Sequence, residues 1–405
     1  MDTTVGSRST TYTTLFLCFS IALFEGFDLQ SMGVTAARIA QQYSLNFVEM
    51  GWAFTASSIG LLPGAAIGGR ASDLLGRKNV LMLSVALFGI GSIATAHIWD
   101  FHSLLAARFF TGLGIGAAMP NLISLCAEAV GAERRNSAVS FMYSGLPVGA
   151  AVAAAIGVLS PSDSGWVDVF YIGGLCPILL IPVIAWGMNE SAHFIAAKAT
   201  DPATSRASSA VSFALWGEGR AVTTIAIWGS FLCTITVFYF LLNWLPSFML
   251  KLGVSRVDAS AAQVFYNVGG AIGAVCIGRL MDSRYRTWAV LATFGCAAFF
   301  LWSLTTMRTA ALVFVGTFLV GMLMNAAQSL LYSVTSTKYP VRVRGTGVGA
   351  AVSVGRVGAI VGPLVAGQLL ALGLSPVQIV LASIPLMVVA AFSSLFATLK
   401  PDARN

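Results

Sequence analysis

At 405 residues, with 57% hydrophobic side chains, only 10% charged ones and a mean hydropathy of +0.82, the chain is too apolar for water; a soluble domain spends about a quarter of its residues on charge. Its net charge of +7 is scattered over many short breaks and gathers into no basic stripe, which argues against nucleic acid. What is left is a bundle of membrane helices, because backbone groups left unpaired in lipid are prohibitive.

The first apolar run, 12–37, carries Glu25 and Asp28 near its middle and lacks a small-residue cleavage site, so it is expected to stay as the first helix. Three residues apart, the two acids sit about 60° from each other around a helix and share a face. One acid at a helix centre costs roughly 2.5–3.5 kcal/mol on insertion scales, so a pair is hard to explain as packing. Mutual repulsion and desolvation favour a proton on one of them, a proton-coupling role; the competing reading is a carboxylate locked to an arginine.

The second span, 47–69, runs into a break reading Gly69-Arg-Ala-Ser-Asp73-Leu-Leu-Gly76-Arg77-Lys78. Glycines there let helix ends approach, and Asp73 can pair with basic residues or cap the next helix, latching a gate. Arg77 and Lys78 could be plain topological anchors, but that reading leaves Asp73 unexplained. The third span is 79–97 and the fourth 103–127. In the fourth, Arg108 stands one or two turns inside the outer end, where it can meet an incoming anion or pair with Asp28. Glu128, about 30 Å further along at ~1.5 Å per residue, belongs to the inner end and reads as a gate residue with Asp73. Spans at 137–159 and 166–188 complete a half, 1–190, and the Ser/Ala/Thr-rich stretch 191–221 reads as a linker.

The second half, 222–405, holds spans at 222–247, 258–281, 287–306, 310–337, 345–371 and 376–398, making twelve. A shift of 209 residues carries Gly60, Gly64, Gly69, Arg70, Asp73 and Arg77 onto Gly269, Gly273, Gly278, Arg279, Asp282 and Arg286, and Arg135 and Gly149 onto Arg344 and Gly358. One constant offset points to a parallel tandem duplication, two pseudo-symmetric six-helix halves. Asp282, Arg286, Arg135 and Arg344 are therefore expected in the gating set. In the eleventh span Arg356 offers a planar fork for a carboxylate, or one side of an ion pair. Asn121, Asn243, Asn325, Gln328 and Tyr332, with Tyr143, Tyr239, Tyr266 and Asn267, can line a binding cavity or glue helices together.

Lys and Arg crowd alternate breaks, at 70–78, 134–135, 198–220, 279–286 and 338–344, whereas the opposite set holds only Arg38, Lys251, Arg256 and Arg308. Both termini and the linker are thus expected in the cytoplasm, and the 38–47 break outside. The six cysteines read as packing residues, and the three histidines form no ligand set, so neither a metal nor a cofactor is expected.

The Gly69–Lys78 stretch matches the G-x-x-x-D-x-x-G-R-K signature of the major facilitator superfamily, and Arg108-Phe-Phe-Thr-Gly112-Leu-Gly114-Ile-Gly116 resembles its R-x-x-x-G-x-G-x-G pattern. Glu25-Gly-Phe-Asp28 resembles the D-G-[FY]-D signature of the aromatic acid:proton symporter family, with Glu in place of the first Asp. Arg108 with Glu128, and Ser353-Val-Gly-Arg356 running on to Pro363, also fit. With Leu61-Leu-Pro-Gly-Ala, Gly116-Ala-Ala-Met-Pro-Asn-Leu-Ile and Arg344-Gly-Thr-Gly-Val-Gly, the chain is most similar to the hydroxyphenylpropionate transporter branch of that family. The resemblance implies proton-driven uptake of an aromatic carboxylic acid by alternating access at a bacterial inner membrane, with a monomer as the working unit. A proton-antiport exporter on the same fold is the alternative. A membrane enzyme or sensor would need a nucleophile-base set or an appended soluble domain, and the sequence has neither.

Overall fold

The computed structural model describes residues 8–130, 135–159, 165–190, 215–281, 286–307, 309–339 and 344–401. They fold into helices alone: α1 Arg8–Gln42, α2 Phe47–Leu75, α3 Arg77–Ala96, α4 Phe101–Glu128, α5 Arg135–Tyr143, α6 Gly145–Leu159, α7 Trp166–Gly187, α8 Ala221–Lys251, α9 Arg256–Met281, α10 Arg286–Leu304, α11 Ala310–Lys338, α12 Arg344–Ala371 and α13 Pro376–Leu399. Ten are long and apolar enough to cross a membrane. The other two spans are α9, diluted by Asp258, Gln263 and Asn267, and the α5–α6 pair, where a turn at Ser144 divides what the sequence pattern predicts as one helix. The chain is a multi-pass membrane protein of twelve transmembrane segments.

Helix ends follow local chemistry. Asn46 and Glu49 form a reciprocal capping box before α2, as do Asp100 and Ser103 before α4 and Ser375 and Gln378 before α13. The bonds from Ser103 hold the exposed Asp100 carboxyl below the ordinary carboxylate range. Gly76 turns α2 into α3 at φ 91°, a left-handed backbone that a side chain would strain, which gives the glycine of the G-R-K motif its reason. One boundary differs from the sequence reading. Arg38, expected in the outer break, lies within α1, buried, and donates from Nη2 to the Gly157 carbonyl of α6 at 3.1 Å. The guanidinium there satisfies a carbonyl near a helix end.

The chain divides into two compact units, 1–205 and 206–405. In the first, α2 packs on α4, α1 on α6 and α3 on α7; in the second, α9 packs on α11, α8 on α12 and α10 on α13. The repeat extends to single contacts. A Cβ on Gly60 would strike the Phe109 carbonyl, and one on Gly269 would strike that of Phe318; Gly149 meets Leu23 as Gly358 meets Leu232. Every partner is again displaced by 209, so the duplicated glycines keep the same helix crossings closed in both units.

Six buried hydroxyls in these helices are satisfied from within. Ser31, Thr35, Ser84, Thr95, Thr111 and Thr335 each donate to the carbonyl four residues earlier, at 2.6–2.9 Å.

Candidate functional site

In the first unit, Asp28 on α1 and Arg108 on α4 form a bidentate pair. Nη1 donates to Oδ1 at 3.0 Å and Nη2 to Oδ2 at 2.9 Å, and Nη2 also lies 3.5 Å from the Asp28 carbonyl. The side chains are 2% and 0% exposed, so the pair is sealed. The Phe170 ring from α7 lies 5.8 Å from the guanidinium carbon, and Ser57 on α2 donates to the Arg108 carbonyl at 2.9 Å, so four helices hold the pair in place. Glu25, one turn earlier on α1, is buried beside it at 2% exposure. Of the two options sequence left for Arg108, the fold realises the pairing with Asp28.

In the second unit, Arg356 on α12 donates from Nη1 to the Tyr239 hydroxyl on α8 at 3.3 Å. Gly355 lets α12 lie against Phe231 and Ile235 of α8, which aims Arg356 at that helix. Tyr332 on α11 lies within the electrostatic reach of Arg356 and Tyr239, and its ring meets Phe231 edge-on at 5.4 Å. Phe238 bridges Tyr239 at 5.5 Å and Tyr266 of α9 at 6.4 Å between ring centroids. A cation therefore stands among phenols and phenyl rings, a surface suited to an aromatic ring bearing a negative charge.

The predicted amides are buried or half-buried. Asn121 and Asn243 donate to the Ala117 and Tyr239 carbonyls at 2.9 and 2.8 Å, and Asn325 donates to Gly321 at 3.1 Å while packing over Gly270. Each keeps its side-chain carbonyl as an acceptor. A cavity of about 240 Å3 opens at the α8–α9 and α10–α11 turns between Met249, Asp258 and Thr309, and none of these predicted residues lines it.

At the far end of α4, Glu128 pairs with Arg77 at the start of α3. The backbone N–H groups of Arg77 and Lys78 donate to Glu190 Oε1 at 2.9 and 3.2 Å, and Lys78 Nζ donates to the Ala185 carbonyl at 2.6 Å. Glu190 was missed by sequence reasoning. Its signal was an acid directly after an apolar span, without any spacing that would join it to residue 77. In the second unit Arg286 and Lys338 both reach the Thr398 carbonyl, at 3.5 and 3.3 Å. Of the predicted gating set, Asp282 and the side chains of Asp73, Arg135 and Arg344 lie outside the described residues, as does most of the linker. In the apolar core Cys126 of α4 donates to the Ala138 carbonyl of α5 at 3.2 Å, with Cys18 of α1 packed in the same cluster.

Residues 18–363 match the Major Facilitator Superfamily. The chain is 42% identical to the 3-(3-hydroxyphenyl)propionate transporter of Escherichia coli K12, over 95% of this chain and 93% of that one. It is 32% identical to the gallate transporter of Pseudomonas putida, over 92% and 88%. Among solved structures it resembles a bacterial homolog of the human lysosomal transporter Spinster in an inward-facing, unoccupied conformation. That match has a TM-score of 0.77 and 16% identity and covers 97% and 98% of the two chains.

Proposed function

We propose a function on the premise that this chain belongs to the Major Facilitator Superfamily, whose members are transporters and not enzymes: it takes up an aromatic carboxylic acid together with a proton, by alternating access. The substrate class is supported by relatives named for hydroxyphenylpropionate and gallate, both carboxylic acids that contain a phenolic ring.

The observation that carries the reading is the division of charge between the two units. The first holds two acids on one turn of α1, with Arg108 closed on Asp28; the second holds Arg356 among Tyr239, Tyr332 and Phe231. Arg356 is the group that receives the carboxylate, since a planar guanidinium can present two parallel donors, and Gln328, Tyr332 and the three asparagines supply further polar contacts. Asp28 carries the proton. When it is protonated its hold on Arg108 weakens and a negative charge that would repel the substrate anion is removed, so proton and substrate load together. Arg77, Glu128 and Glu190 brace the inner ends of α3 and α4, and we assign them to the inner gate with Asp73, Arg135 and their repeats Asp282, Arg286 and Arg344. The distribution of Lys and Arg supports cytoplasmic termini for a protein of the bacterial inner membrane.

The test is uptake of a panel of labelled aromatic acids into proteoliposomes with an imposed pH gradient. Accumulation in the compartment of lower proton concentration, lost with an uncoupler, is the expected result. Accumulation only against an opposed proton flux would replace this reading with that of an antiport exporter.

A further inference from the structure

Resting on that reading of the second unit as the aromatic-acid half, we propose that Tyr266 recognises a ring hydroxyl of the substrate, making the transported acids phenolic ones. Tyr266 is 0% exposed, and among the described residues its hydroxyl has no hydrogen-bond partner. Leaving such a group unsatisfied is costly, so it calls for an explanation. The other buried tyrosines are satisfied, Tyr239 by Arg356 and Tyr339 by Thr224. Tyr266 belongs to the same aromatic run as the guanidinium, because its ring meets Phe238, Phe238 meets Tyr239, and Tyr239 accepts from Arg356.

The position is also rigid. Gly321 of α11 lies so close on the Tyr266 backbone that a Cβ there would collide with it, so the ring is carried by one of the closest helix crossings in the unit. A second buried hydroxyl without a partner among the described residues, Thr234, stands one turn before Phe238 on α8. It departs from the back-bonding that its neighbour Thr236 shows at 2.7 Å. The aromatic run thus offers a charge for a carboxylate at one place and an unanswered hydroxyl at another. A phenol in an enclosed, desolvated site can donate to or accept from a ring hydroxyl, and a site built this way rejects the analogue that lacks it.

The experiment compares uptake of 3-(3-hydroxyphenyl)propionate and 3-phenylpropionate by the full-length protein and by Tyr266→Phe in proteoliposomes. The expected result is a preference for the hydroxylated acid on the order of tenfold in the parent. In Tyr266→Phe it falls to near unity, through loss of uptake of the hydroxylated acid. The phenylalanine variant without substrate is expected to melt no lower than the parent, because no internal bond is lost. A preserved preference in the variant, an equal loss for both acids, or a lower melting point without substrate each overturns the assignment. Should the variant fail to insert, thermal stabilisation of the parent by the two acids decides, and equal stabilisation overturns it. A parent that transports both acids equally refutes the role of Tyr266 alone; one that transports neither refutes the proposed function with it.

Discussion

The sealed pair of Asp28 and Arg108 gives the sharpest quantitative prediction. The two side chains are 0% and 2% exposed and share bonds of 3.0 and 2.9 Å, so removing either leaves a charge with neither water nor its counter-ion. Asp28→Asn or Arg108→Gln alone should cost about 3–5 kcal/mol, the usual penalty for breaking a buried pair from one side. The double variant replaces two charges by two amides and should lie within roughly 1 kcal/mol of the parent. Allowance is needed for the Phe170 contact, worth about 0.5–2 kcal/mol, which goes with the guanidinium. The coupling in the double-mutant cycle should therefore exceed about 2 kcal/mol. Denaturation of the four proteins in detergent measures it, and the same preparations in proteoliposomes report transport. Asp28→Asn should lose proton-driven accumulation while still exchanging internal for external substrate, which needs no change of protonation. Additive stability losses would show that the pair does not act as a unit. Normal accumulation by Asp28→Asn would move the proton elsewhere.

Arg356→Lys should weaken uptake by an order of magnitude or more despite keeping the charge, because an ammonium cannot supply two parallel donors; unchanged affinity in a concentration series would give Arg356 a structural role. Gly112→Ala and Gly321→Ala should each destabilise by about 3 kcal/mol or more, since the new Cβ meets the Ser57 and Tyr266 backbones. Gly295→Ala, with nothing within 4 Å, should be silent in the same melting assay. Glu190→Ala should cost about 1 kcal/mol through the lost cap on α3 and leave substrate affinity unchanged. In a cysteine-free background, Ser209→Cys should resist an impermeant thiol reagent in intact cells and react after permeabilisation; labelling in intact cells would reverse the topology.

How much of this was legible beforehand follows from the range of each interaction. The spans, their caps and the 209-residue repeat were readable because each depends on neighbours within a turn or two, or on comparing the chain with itself. Lipid demands a set length of apolar residues, and Asn46-x-x-Glu49 caps a helix wherever it occurs. The split at Ser144 and the burial of Arg38 were not readable. Both depend on a carbonyl or a packing partner supplied by another helix, and composition treats an arginine near a span end as a solvated anchor.

The candidate site divides along the same line. The sequence by itself determined which side chains could do chemistry in lipid, since an acid pair in α1 and arginines within α4 and α12 are too costly there to be incidental. Only the tertiary structure decided their partners. Asp28 and Arg108 are 80 residues apart, Glu190 caps a helix 113 residues upstream, and Tyr266 keeps a buried hydroxyl that no bond among the described residues answers. The reason is geometric. Helix faces and periods are set by local backbone dihedrals, whereas the meeting of two polar groups depends on which helices cross and at what height. That is settled jointly by glycines on both partners, as Gly60 with Phe109 and Gly321 with Tyr266 show, and no single segment of the chain contains it.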